Sequence, residues 1–483
     1  MDLKTLLLLS ILPFCANAEF SLNCLTLNGA EEIALEYNKQ FLIARESTVQ
    51  AKERKNQAVS KWLPAVHFYA EFRDIDKKEL FFNVFSSDFL FSHRGYSTIL
   101  QLNQPLFSTN LIYSLKSSNL EAQAVRFDQA NTKNELLRAV RDSYYAAVST
   151  EVSVEINREN VEYLTYALEK EQNRLEAGGS TPFEVNQNKT AVANAISEYY
   201  SSLRALKNAR NALILNLGVD PLLESQIRLA QYRVPLHSIP ELTIKMEEVE
   251  KKFHYRTGWF SSTQDFVRHI EKIDQARKLV LFSEQEVNEY LATAIDLRPD
   301  LASKKLLVGV ADQNVKKKQG TYLPQVGGYV RYSYNDVILG MDSFLKEEFH
   351  WSAGIQLSWN LFDSMLREHE IREARSQRSA SRLMYDQEYQ RIEVQIRNGL
   401  YQLEDSIFSY LSANEAVLLA EQARDQAQEK LEYGRISTLE YRDSVNQLSL
   451  AKNLRNRASF DLIAAYYELR YATGMDAGLD SNS

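Results

Sequence analysis

Two short turns concentrate the residues of this chain that could do chemistry. The first has Gly178 followed by Thr181-Pro182-Phe183-Glu184, and the second has Gly434 followed by Ser437-Thr438-Leu439-Glu440. Glycine suits the left-handed residue that ends a helix, and Ser or Thr with Glu three positions later is a capping box that opens the next helix. Pro182 stands at the favoured first helical position. Capping is therefore the ordinary role of Glu184 and Glu440. Asp443 lies about one turn beyond Glu440 and shares its face, so the second turn presents paired carboxylates. Such a pair repels itself and attracts cations or basic partners. Arg435 and Arg442 stand beside it in sequence.

No other part of the chain has the spacing of a reactive centre. Seven histidines (His67, His93, His237, His254, His269, His350 and His369) are scattered. None shows metal-ligand spacing, and there is no Gly-rich phosphate loop or nucleophile elbow. The expectation is no enzyme, no cofactor and no metal. A net charge of −8 gives no support to nucleic-acid binding, which needs a basic surface.

The elements that hold the two turns come in two copies. Trp62-Leu63-Pro64-Ala65-Val66 returns as Tyr322-Leu323-Pro324-Gln325-Val326, and Gln101-Leu102 with Leu106-Phe107 as Gln356-Leu357 with Leu361-Phe362. Arg174-Leu175-Glu176-Ala177-Gly178 returns as Lys430-Leu431-Glu432-Tyr433-Gly434. Self-similarity at one long period, about 256 to 260 residues, indicates two structural repeats in one body. Each repeat reads as a helix, two strands and a long helical hairpin. Ala30 to Leu63 is helical; Thr109 to Ala177 lacks Gly and Pro, a run on the order of 100 Å as helix. Phe183 to Leu217 returns. In the second repeat Leu291 to Gln319 is helical with a break at Arg298-Pro299-Asp300-Leu301, Asp363 to Tyr433 is long, and Arg435 to Thr473 returns. Positions such as Leu136, Val140, Tyr144 and Val148 would pack against neighbouring helices.

Between the helices the period changes to two. Val66, Phe68, Ala70 and Phe72 alternate with His67, Tyr69, Glu71 and Arg73, and Trp351, Ile355, Leu357 and Trp359 alternate with His350, Ser352, Gln356 and Ser358. Strands of roughly ten residues with one apolar and one polar face suit a tilted transmembrane barrel, with Trp351 and Trp359 as lipid-facing anchors. A small soluble sandwich is the competing arrangement. Four strands cannot close a barrel, whereas three chains would supply twelve. Lys4, the apolar run Leu6 to Phe14 and Ala16-Asn17-Ala18 read as an export signal. Cys24 remains without an intramolecular partner, and its acylation stays open. The expected organisation is a signal at 1–18, repeat one at 19–221, an inter-repeat segment at 222–290 (subdomain or loop), repeat two at 291–475 and a tail at 476–483.

The ordered set of these motifs resembles the TolC family of outer-membrane efflux and secretion ducts. It includes Leu63-Pro64 and Leu323-Pro324, Gln104-Pro105-Leu106-Phe107, Arg298-Pro299-Asp300-Leu301 and the turns after Leu175 and Leu431. The resemblance covers nearly all of the chain. It implies a mostly α membrane protein with β-strands: a homotrimer with a twelve-stranded outer-membrane barrel continued by a periplasmic α-helical barrel. It implies passive export of substrates delivered by an inner-membrane transporter through a periplasmic adaptor. The turns at Gly178, Thr181, Gly434 and Ser437 would then dock the adaptor. Glu440 and Asp443 match acidic gate positions of the family, with Glu184, Arg435 and Arg442 at the same aperture; the family's gating arginine aligns nearer Ile436, and Asn360 replaces a proline at the end of the last strand. A non-conducting exported coiled-coil scaffold is the alternative reading.

Overall fold

The computed structural model describes residues 25–74, 94–222, 228–230, 242–247, 282–338 and 348–475. The expected signal, Cys24, the 476–483 tail, residues 75–93 and most of the 222–290 segment lie outside the described residues. The first repeat runs α1 (Leu27–Tyr37), α2 (Lys39–Ser60), β1 (Ala65–Asp74), β2 (Arg94–Phe107), α3 (Thr109–Glu176) and α4 (Pro182–Leu217). The second runs α5 (Glu284–Leu297), α6 (Pro299–Gln319), β3 (Gln325–Ile338), β4 (Glu348–Ser358), α7 (Leu366–Glu432) and α8 (Thr438–Thr473). Element order therefore repeats as the sequence motifs do.

Several boundaries differ from the sequence reading, and the clearest have a local reason. The single helix expected over Ala30 to Leu63 is two, because Asn38 adopts an extended backbone and its Oδ1 accepts from the N–H groups of Gln40 (2.9 Å) and Phe41 (3.2 Å). It thereby caps α2. The helix expected to open at Leu291 starts at Glu284, behind a capping box in which Glu286 accepts from the Ser283 N–H at 2.8 Å. The last strand ends at Ser358, so Trp359 falls beyond it. There the Trp359 indole donates to the Tyr322 carbonyl at 3.0 Å, and Ser364 and Met365 both take left-handed backbone, which delays α7 to Leu366.

The chain forms two compact units, and neither is a repeat. One gathers Met1–Leu42, Lys133–Asn288 and Ile396–Ala472; the other gathers Ile43–Thr132, Glu289–Gln395 and Thr473–Ser483. Each draws on both halves of the sequence, as expected when one copy cannot bury its own apolar stripe. The first unit is held by long helices. Leu136, Val140, Tyr144 and Val148 of α3 are all buried, as are Leu213, Ile214 and Leu217 of α4, Ile396, Leu400 and Ile407 of α7, and Leu462 and Ile463 of α8.

The second unit carries the sheet, in the order β1-β2-β3-β4, antiparallel throughout. The Arg298 guanidinium grips Asp300 at 3.0 and 2.5 Å and reaches Gln395 at 3.0 Å, all in this unit. Burial works to raise the Asp300 carboxyl, but the Arg298 bonds prevail and hold it below its ordinary value. Gly320 lies so close to Thr109 that a side chain there would meet it at 2.6 Å; this approach lets the Thr109 hydroxyl donate to the Gly320 carbonyl at 2.6 Å.

Candidate functional site

Both hairpin tips belong to the first unit and use the same backbone device. Gly178 and Gly434 take φ of 78° and 65°, values that penalise any side chain. Gly178 donates to Leu175 and Gly179 to Arg174 (3.0 and 2.8 Å); Gly434 donates to Leu431 and Arg435 to Lys430 at the same two distances. This pair of bonds is a Schellman closure, and it satisfies carbonyls that would otherwise be orphaned. On the outgoing side, Thr181 accepts from the Glu184 N–H at 3.3 Å while Glu184 accepts from the Thr181 N–H at 2.8 Å. Ser437 and Glu440 make the same reciprocal pair, both bonds at 3.3 Å. The Thr181 N–H bond, with those from the Ser180 and Thr181 hydroxyls, holds the Glu184 carboxyl below its ordinary value.

Within one chain the two arginines reach away from the acidic pair. Arg435 stacks on the Tyr433 ring at 5.6 Å, and Arg442 reaches across to the Gln187 carbonyl of α4 at 3.3 Å. Asp443 instead accepts from Gln447 on its own helix at 2.9 Å. Among the described residues, neither arginine pairs with Glu440 or Asp443 within one chain. Glu440 folds back onto its own cap, and Arg442 points to the other hairpin.

The residue that unites the two tips was missed in the sequence. Glu171 on α3 is 1% exposed, yet its carboxylate accepts from the Ser180 hydroxyl of its own turn and from the Thr438 hydroxyl of the other tip at 2.5 Å. Arg174 approaches it at 3.4 Å, and Asn188 of α4 donates to Thr438 at 3.3 Å. One carboxylate thus joins α3, the first turn and the start of α8. A signal existed: at the repeat offset Glu171 falls opposite Ala427, an acid where the other copy has none.

Tyr441 sits behind this knot. It is fully buried against Leu164, Ala167, Ala195, Leu431 and Val445, with its ring edge-on to Tyr166 at 6.2 Å. Among the described residues its hydroxyl has no hydrogen-bond partner, and burial pushes the phenol up to about 12.

The sheet sorts its side chains by face. Register aligns Phe68 with Leu100 and Tyr332 with Trp351 on one face, and His67 with Gln101, Arg331 and Ser352 on the other. Trp351, Ile355, Phe68 and Phe72 are exposed, Trp351 by 75%. Uncovered aromatic surface on this scale marks an interaction face. Trp359, one residue past β4, is exposed as well. Among the described residues no cluster of His, Cys, Asp and Glu could hold a metal ion, and no helix is long and apolar enough to cross a membrane.

Comparisons with known proteins agree with this geometry. The family described as outer membrane efflux protein matches residues 32–219 and 291–475. The outer membrane efflux protein BepC of Brucella suis biovar 1 (strain 1330) is 26% identical over 190 residues, which span 39% of this chain and 41% of BepC. The match therefore covers less than half of that relative. Among solved structures, the Campylobacter jejuni CmeC outer membrane channel superposes with a TM-score of 0.72 at 14% identity, over 95% of this chain and 87% of that one. The outer membrane protein VceC of Vibrio cholerae gives 0.71 at 14% identity, over 93% and 96%. These structural likenesses establish the fold: two repeats, long helices and a small sheet. Because the family match covers both repeats, with their strands and both hairpin tips, this chain belongs to the outer membrane efflux protein family.

Proposed function

We propose that this outer-membrane efflux protein is a passive exit duct whose lumen is built by three copies. The sorted sheet carries this reading: four strands with exposed Trp351, Phe68 and Phe72 on one face and polar residues on the other cannot close alone. Open sheet edges are not viable in lipid, and three copies of four strands make an even-numbered barrel of twelve. The apolar face then meets lipid, with Trp351 and Trp359 as anchors, and the polar face lines the lumen.

The hairpin tips form the periplasmic aperture and the docking point for an adaptor, which in turn receives substrate from an inner-membrane transporter. Glu440, Asp443 and Glu184 each become a ring of three carboxylates there, which favours cations and basic partners. Arg435 and Arg442 act at the same aperture, the latter through its contact with α4. Gly178, Thr181, Gly434 and Ser437 set the turn shape that the adaptor reads.

Purified protein reconstituted in planar bilayers tests the duct. Wild type should conduct, and E440Q/D443N should raise conductance and weaken block by multivalent cations. A protein that stays monomeric and leaves bilayers silent ends the duct reading. A conducting protein with unchanged cation block ends only the gate assignment.

A further inference from the structure

Among the described residues, Arg331 is a cation on the polar face of the sheet with no acidic side chain against it. Arg331 of β3 stands opposite Gln101 of β2 and Ser352 of β4, with His67 completing the row on β1. Its Nη2 and Nε donate to the Gln101 Oε1 at 3.1 and 3.3 Å. Gln101 is itself held, donating to Asn103 Oδ1 at 2.7 Å. A neutral amide therefore fixes the guanidinium while leaving its full charge. Arg158, by contrast, is an exposed arginine neutralised between Glu155 and Glu162.

The adjoining rows hold no acid. On one side they are Ala65, Asn103, Tyr329 and Gly354; on the other they are Tyr69, Ile99, Ser333 and His350. The nearest acidic positions on this face, Glu71 and Glu348, lie a further row away. Four residues of strand separate them from the Arg331 row, about 13 Å, beyond the roughly 8 Å screening length of physiological salt. The positive field at this level is local and uncancelled.

We infer that Arg331 forms an anion-attracting girdle inside the barrel, a site for solutes bearing carboxylate or phosphate groups. The inference rests on the reading that this face lines the lumen of a three-copy barrel. Threefold repetition then places three guanidiniums at one level, as in the charged rings that select ions in pores. Each keeps Nη1 and half of Nη2 available for a carboxylate or phosphate oxygen. Gln101 acts as a positioning residue that orients the fork without neutralising it.

Reversal potentials of the full-length protein in asymmetric KCl test the girdle. Two variants approach it from opposite sides. R331Q removes the charge, whereas Q101E keeps Arg331 and supplies the missing carboxylate. Each should lower the chloride-to-potassium permeability ratio by about twofold or more at roughly 0.02 M salt, and the difference should vanish near 1 M, where the screening length is about 3 Å. R331K, which retains a cation, should stay close to wild type. Either R331Q or Q101E conducting with the wild-type ratio at low salt overturns the girdle while leaving the duct standing. A wild-type protein that does not conduct removes the lumen itself.

Discussion

The two hairpin tips share a turn and differ in what lies behind it. Both close with glycine in the left-handed region and reopen with a hydroxyl-and-glutamate capping box. Behind the first tip stands a buried carboxylate, Glu171; behind the second stands a buried phenol, Tyr441, at the position where the first has Val185. Glu171 is used completely, by its own turn and by the other tip. Tyr441 supplies apolar bulk and leaves its hydroxyl unused. The shared residues make the turns, and the unshared ones make the two hairpins a single end. Duplication thus supplies the shape, and divergence between the copies supplies the joint.

The largest effect should come from breaking that joint. E171A strands the Thr438 hydroxyl proton, in a residue 4% exposed, and leaves Ser180 with Glu184 alone, so about 2–3 kcal/mol of stability should be lost at the tips. E171Q, which keeps an acceptor, should lose less. Hydrogen exchange of the α8 amides from Thr438 onward would report it, and unchanged protection in E171A would remove Glu171 as the joint. The mirror-image change sharpens the contrast. Y441F deletes a buried hydroxyl without a partner, so it should stabilise the same region by about 1 kcal/mol. A destabilised Y441F would mean that the hydroxyl is bonded in the assembled protein.

Smaller differences should appear at the caps. E184A should loosen its tip more than E440A does, because Glu184 accepts at 2.8 Å and Glu440 at 3.3 Å. Proteolytic nicking rates at the two turns would rank them. The smallest effect is one of pH. The Glu184 carboxyl is held below its ordinary value when folded, so its contribution is present above the usual glutamate range and is lost as pH falls through the lowered value. First-tip protection, taken relative to the intrinsic exchange rate at each pH, should therefore fall on acidification below the usual glutamate range in wild type, and this response should be absent in E184Q.

Much of this was legible in the chain, because it rests on local chemistry. The capping boxes, the closing glycines, the Pro299 break and the two-residue alternation each follow from a few adjacent residues. Asn38 was legible in principle, but inside a run without Gly or Pro its capping role carries no stronger signal than an exposed helical Asn would. The arginine roles were illegible for a different reason. Arg442 is close to Asp443 in sequence, yet the helix directs it to the Gln187 carbonyl on the other hairpin.

By itself, the sequence determined the two-copy plan, the lengths of the hairpin helices, the faces of the strands and the chemistry of the turns, since period and capping are properties of neighbouring residues. Tertiary structure alone decided that Glu171 meets Thr438 across 267 positions, that Gln101 rather than an acid holds Arg331 across 230, and that both compact units mix the two repeats. Those outcomes depend on which side chains packing brings within hydrogen-bond reach, and a short bond between distant residues leaves no periodicity to read.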